Sequence, residues 1–184
     1  MTGREIGDDE KYLITGATGF LGSHLMAGLL LKGKSLVIAG RASGTESLER
    51  RIGKLLAWFG IEHLEGLLEC HETDFLKGRM GLGKDEYATL CSKGLNIIHC
   101  ASDTSFREKD RAKVMKSNVE SLTEIVNFAC KSSSRCFHFI SSAYAAGIDH
   151  SECTEVPVTS KEFANVYKES KAQAEKIVSE MPGG

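Results

Sequence analysis

The sequence predicts an α/β fold, a doubly wound parallel sheet of strand order 3-2-1-4-5 with helices on both faces. Three observations carry that expectation. Short β-branched runs alternate with longer amphipathic ones, the pattern of successive strand–helix–strand units. A glycine-rich turn follows the first of these runs directly. Five strand-like runs joined by right-handed crossovers then fall into the order 3-2-1-4-5.

The elements follow in order. Tyr12–Thr15 (YLIT) reads as the first strand, and Phe20–Leu31 as a helix closing at Lys32-Gly33, where glycine suits the C-cap. Ser35–Ala39 (SLVIA) is the second strand. Next comes a helical stripe of Leu48, Ile52, Leu55, Leu56 and Phe59, with Arg50, Arg51 and Lys54 off it. Leu67–Thr73 is the third strand, and a looser GRMGLGKDEYATL segment leads into a short helix over Lys84–Cys91. Asn96–Cys100 (NIIHC) is the fourth strand and Lys113–Cys130 a long helix. Cys136–Ser141 (CFHFIS) is the fifth strand and Glu162–Ser179 the last helix. Residues 1–10 read as a polar tail and residues 11–184 as one folded domain, the size expected of a single core.

Composition narrows the function classes. With 41% hydrophobic and 26% charged residues and a net charge of -2, the chain has no basic stripe to attract nucleic acid. The opening MTGREIGDDEK lacks the apolar stretch of a signal peptide, and the run from Leu25 to Leu31 is too short to span a bilayer. A cytoplasmic location is the default expectation. The six cysteines, at 70, 91, 100, 130, 136 and 153, contain no CxxC pair. They read as small hydrophobes, with Cys70, Cys100 and Cys136 in strands, and no metal site is expected.

Directly after the first strand, TGATGFLG sets Gly16, Gly19 and Gly22 at GxxGxxG spacing. Glycine is required where the backbone turns sharply, approaches a pyrophosphate, or packs helix closely on strand. Free N–H groups around Phe20 and Leu21 would face the phosphates. This turn predicts a Rossmann-type domain that binds a nicotinamide dinucleotide. An NAD site usually ends its second strand with an acid; here the stretch is IAGRASG, with Arg41 and no acid. A guanidinium suits a 2′-phosphate, so NADP(H) is favoured over NAD(H). Arg51 either adds a second positive charge or is a solvated surface residue.

Tyr167-Lys168-Glu169-Ser170-Lys171 contains YxxxK, which on a helix projects Tyr167 and Lys171 from one face. A nearby ammonium stabilises phenolate and makes proton exchange feasible near neutral pH. The order TGATGFLG, Asp74, HCAS, Asn118, FISS and YKESK resembles an extended short-chain dehydrogenase/reductase. More narrowly, RASGTESLERRIGKLLAWFG, DFLKGRMGLGKDEYATL and HCASDTSF are similar to the thioester-reductase and fatty-acyl-CoA-reductase branch, with its male-sterility-type NAD-binding domain. The likeness runs from Tyr12 to Val178.

The resemblance implies the following roles. Gly16, Thr18, Gly19, Phe20, Leu21 and Gly22 surround the pyrophosphate, and Arg41 and Arg51 meet the 2′-phosphate. Asp74 and Phe75 lie beside adenine, while Ala101 and Ser102 line the ribose side. Ser142, five residues before Gly147, orients the carbonyl; Tyr167 donates the proton; Lys171 tunes the tyrosine and binds ribose. Asn118 holds a water or the fourth strand, or is structural. Two departures stand out: Cys100 replaces the branch's usual asparagine, and Asp103 adds a charge near the cleft. Related enzymes continue past this point, so the resemblance implies a truncated chain whose C-terminal substrate-binding part is absent. The expected activity is NADPH-dependent reduction of an acyl thioester, carried by coenzyme A or a carrier protein, to aldehyde or alcohol. The alternatives are a sugar-nucleotide epimerase or dehydratase, a ketone reductase, or a cofactor-binding fragment without catalysis of its own.

Overall fold

The computed structural model describes residues 10–62, 66–146 and 162–182. Residues 1–9 of the expected tail, Gly147 and Cys153 lie outside the described residues. Among the described residues five strands, β1 (Lys11–Thr15), β2 (Ser35–Gly40), β3 (Leu68–Glu72), β4 (Asn96–His99) and β5 (Cys136–Phe139), form one parallel sheet. Its order is β3-β2-β1-β4-β5, as the sequence predicts.

Alternate strand residues feed two cores. Leu13, Val37 and Ile97 point to one face and pack with Leu90, Leu122, Ile125 and Phe128. Ile14, Ile38 and Ile98 point to the other and pack with Met26, Leu30, Ile52 and Leu56. Burial on both faces explains why β1, β2 and β4 are continuous apolar runs. β5 lies at the sheet edge, with Cys136 and His138 exposed and Phe137 and Phe139 half-buried. Cys136 is therefore in a strand, as expected, and its edge position leaves it exposed. Cys70 is half-buried in β3, and Cys100 lies one residue beyond β4.

The helices begin and end for local reasons. α1 (Phe20–Leu30) is closed by Gly33, whose φ of 70° lets Gly33 N–H reach the Leu30 carbonyl at 2.9 Å. α2 (Leu48–Trp58) is capped by Ser47, which accepts from Arg50 N–H. Its buried residues are Leu48, Ile52 and Leu56, the centre of the predicted stripe. α3 (Lys84–Ser92) follows a tight turn in which Arg79 and Met80 take φ values of 58° and 56°. That turn is anchored rather than loose: Met80 is fully buried, and its N–H donates to Glu124.

The long helix expected over Lys113–Cys130 is interrupted. α4 (Arg111–Met115) passes into a π turn at Lys116–Glu120 before α5 (Ser121–Lys131). α6 (Val166–Ser179) starts later than Glu162 because Asn165 caps it, accepting from Lys168 N–H. Among the described residues no helix is long and apolar enough to cross a membrane, and no group of three or more His, Cys, Asp or Glu could hold a metal.

Candidate active site

Parallel sheets of this order diverge between β1 and β4, and the crevice at the strand ends takes ligands. Here that crevice is a cleft of about 670 Å³, lined by Gly16, Thr18, Gly19, Arg41, Arg51, Asp74, Phe75, Ala101 and Ser102 among others. The glycines are sterically required. Gly16 has a φ of 71°, and a Cβ there would sit 2.6 Å from Ala101 N. A Cβ on Gly22 would sit 2.3 Å from the Gly16 carbonyl oxygen. Gly19 N–H closes the turn on the Gly16 carbonyl at 2.9 Å.

α1 starts at this turn without a side-chain cap, so its first N–H groups stay available to an anion. The side chains of Phe20 and Leu21 face away, at 85% and 44% exposed, and neither lines the cleft. Only the backbone of Phe20, Leu21 and Gly22 can serve the predicted role.

Arg51 Nη1 donates to the Arg41 carbonyl at 3.0 Å, which sets both basic residues at the corner beyond β2. Beside this corner, at the end of neighbouring β3, Asp74 accepts from Leu76 N–H and pairs with Lys77 at 3.3 Å. The Leu76 N–H, with the Lys77 and Arg41 charges, holds its carboxyl below the usual range. The buried turn at Met80 fixes this wall, since Asp74 N–H donates to the Met80 carbonyl at 2.8 Å. Ser102 Oγ, also on the wall, is buried and has no hydrogen-bond partner among the described residues. The Ser102 hydroxyl, the glycine cradle and the basic corner fit the polar groups of a dinucleotide.

Beneath the cleft, His99 is 2% exposed and bonded through Nδ1 to Thr15 Oγ1 at 2.8 Å. Thr15 Oγ1 also accepts from Ala101 N–H, so the pair supports the backbone that Gly16 touches. Burial, aided by the Lys171 charge, pushes the His99 imidazole down to about 3.

The YxxxK residues sit where β5 ends on α6. Lys171, 4% exposed, donates through Nζ to the Ile140 carbonyl at 2.9 Å. Its Nζ lies 5.9 Å from the Tyr167 ring centroid and 5.1 Å from that of Phe139. Burial pushes the Lys171 ammonium below its ordinary pKa, with Cys100 and Glu175 opposing that shift. Tyr167 is buried, its ring tilted against Phe106 at 5.4 Å. Ser142 accepts from Tyr144 N–H and opens the turn Ala143–Ala146, which packs on α6. None of Ser142, Tyr167 and Lys171 is among the residues that line the cleft. Cys100 does line it, with its thiol kept protonated by burial.

Asn118 is a clamp. Its Oδ1 accepts from Asp103 N–H at 2.7 Å, and its Nδ2 donates to the Asp103 carbonyl and to Ser170 Oγ, each at 2.9 Å. Both amide protons are used within the protein, and they tie the segment after β4 to α6. Asp103 pairs with Lys113, and both lie on the cleft wall. Sequence reasoning misses Lys113 and Lys116 on the cleft wall; their local signal is the i,i+3 lysine spacing at the start of the long helix.

A parallel 3-2-1-4-5 sheet with a GxxGxxG turn at its crevice defines an NAD(P)-binding domain of the extended short-chain dehydrogenase/reductase type, a class of oxidoreductases. The model of the NAD-binding family described as "Male sterility protein" matches residues 14–183, and the chain belongs to that family. It is 28% identical over 188 residues to a linear gramicidin synthase protein of Brevibacillus parabrevis, covering 94% of this chain and 4% of that protein. It is 26% identical over 172 residues to peramine synthetase A of Epichloe festucae (strain Fl1), covering 90% of this chain and 6% of that protein. The terminal R domain of the myxalamid PKS-NRPS pathway superposes with a TM-score of 0.80 at 24% identity, over 95% of this chain and 46% of that one. The UDP-Glc/GlcNAc 4-epimerase of Campylobacter jejuni superposes with a TM-score of 0.68 at 20% identity, over 94% and 49%. The chain thus spans under half the length of these two solved structures and a few per cent of the two synthetases.

Proposed function

We propose that the chain is the cofactor-binding part of an NADPH-dependent reductase that converts an acyl thioester, on coenzyme A or a carrier protein, to aldehyde or alcohol. The observation that carries this reading is the dibasic Arg41–Arg51 corner at the acid-free end of β2. Its setting in a family with synthetase relatives supports the thioester. Gly16, Thr18 and Gly19, with the backbone N–H groups of Phe20, Leu21 and Gly22, hold the pyrophosphate. Arg41 and Arg51 hold the 2′-phosphate, Asp74 and Phe75 flank adenine, and Ala101 and Ser102 meet the ribose.

When bound, NADPH supplies the hydride that reduces the carbonyl carbon. Ser142 and Tyr167 hydrogen-bond the carbonyl oxygen, and Tyr167 gives it a proton as the carbon becomes tetrahedral. The Lys171 ammonium offsets the phenolate left behind and hydrogen-bonds the nicotinamide ribose. The resulting hemithioacetal releases thiol and aldehyde. Phe106 and Tyr144, half-exposed and 6.0 Å apart beside Tyr167, offer an apolar wall to the acyl group. A cytoplasmic location, where NADPH is supplied, belongs to this reading.

The test is the full-length protein with NADPH and an acyl-coenzyme A or acyl-pantetheine. Loss of reduced-nicotinamide absorbance with release of free thiol is expected. Tyr167→Phe lowers that turnover by at least about 100-fold, the lower bound of acid catalysis, while cofactor still binds. The epimerase likeness favours a second reading; tightly retained NAD and turnover of nucleotide sugars without net oxidation would replace the first with it. Cofactor binding without either turnover leaves a non-catalytic module.

A further inference from the structure

The segment between β5 and Ser142 is held by three hydrogen bonds, one to β4 and two to α6. Ile140 N–H donates to the His99 carbonyl at 3.1 Å, and the Ile140 carbonyl accepts from Lys171 Nζ. Ser141 Oγ, one residue before Ser142, donates to Glu175 Oε1. Glu175 lies one turn beyond Lys171 on α6, so consecutive turns of one helix grip consecutive residues of the loop.

Lys171 is buried, and among the described residues it forms no ion pair within 4.0 Å. The titratable groups facing it are His99 and Cys100 from β4 and its exit, and Tyr167 and Glu175 from α6; β5 offers the Phe139 ring. His99 is neutral at pH 7 and burial keeps Cys100 a thiol, which leaves Glu175 as the one anion of the set.

We infer that Glu175 is a positioning residue for the Ser142–Tyr167–Lys171 site. Its carboxylate fixes the Ser141–Ser142 turn against α6 and supplies the counter-charge to the buried Lys171 ammonium. A single group thereby sets the placement of the carbonyl-orienting hydroxyl and the charge beside the proton donor. The inference rests on the proposed roles of those three residues, but its test reads Lys171 directly, without turnover.

The experiment is an NMR pH titration of carbon-labelled lysine in the whole chain, with Lys171 assigned by Lys171→Arg. Glu175→Gln keeps a hydrogen-bond acceptor for Ser141 and removes the charge. The Lys171 midpoint then moves to lower pH by about 0.5 or more, as for one nearby opposite charge partly screened by water. Glu175→Asp restores most of that shift. Ser141→Ala removes the hydrogen bond, keeps the charge and leaves the midpoint in place. An unchanged midpoint in Glu175→Gln overturns the inference, as does an equal shift in Glu175→Asp or Ser141→Ala.

Discussion

At the scale of single residues, the cleft depends on groups whose conformation or charge has no close substitute. Gly16 combines a φ of 71° with a contact that leaves no room for a methyl group. Arg41 lines the cleft where an NAD site would carry an acid, and on the proposed reading its charge meets the 2′-phosphate. Charge-assisted hydrogen bonds contribute about 1.5–3 kcal/mol. Arg41→Ala therefore weakens NADPH by roughly 10- to 100-fold and leaves NADH affinity unchanged, as nicotinamide fluorescence titrations will read. A preference for NADH in the unaltered chain would remove the 2′-phosphate assignment.

His99 sets a pH dependence of the fold itself. A free imidazole takes up its proton near 6.5, whereas the folded site resists until about 3. As pH falls through that window the unfolded chain binds a proton that the folded chain does not, so stability falls; above it the contribution is constant. Between pH 7 and pH 5 the loss is roughly 2 kcal/mol, read from urea unfolding at both values. His99→Gln flattens that part of the slope.

At the scale of elements, the parts legible in the sequence are those whose reason is local. β1 and β2 show as apolar runs, α1 ends at a glycine, and α2 carries a clean stripe over its buried Leu48, Ile52 and Leu56. The π turn is not legible, because Val114, Leu122, Ile125 and Ala129 repeat as an unbroken helix would. What places Asn118 in it are partners 15 and 52 residues away in sequence, at Asp103 and Ser170. Edge position is equally invisible locally, which is why the strand reading of Cys136 says nothing of its exposure. In the site, the glycine turn, Arg41 and YxxxK are legible as motifs, while the orphan Ser102 and the Glu175 grip exist only after folding. Removing the clamp exposes its weight: Asn118→Ala strands the Asp103 backbone groups and costs about 2–4 kcal/mol in urea unfolding. Asn118→Asp keeps one acceptor but loses both donations, and recovers only part.

At the scale of the whole molecule, the cleft belongs to no single element. Its walls come from the turn after β1, the corner beyond β2, the loop after β3, the exit of β4 and the start of the interrupted helix. In an unfolded chain these segments are independent, so a dinucleotide binds the folded state and scarcely at all the unfolded one. Linkage then ties affinity to global stability: ligand at 100 times its Kd adds about 2.7 kcal/mol. For a domain of this size that raises Tm by roughly 5–11 °C. Under matched concentrations NADPH should therefore shift Tm by several degrees more than NADH, and Arg41→Ala should move the NADPH shift toward the NADH value. Gly16→Ala should abolish both shifts, because its Cβ displaces the Ala101 backbone from the cradle. Equal shifts from the two cofactors in the unaltered chain would mean that the corner beyond β2 does not read the 2′-phosphate. Absence of any shift would mean that these walls form a dinucleotide site only together with further protein.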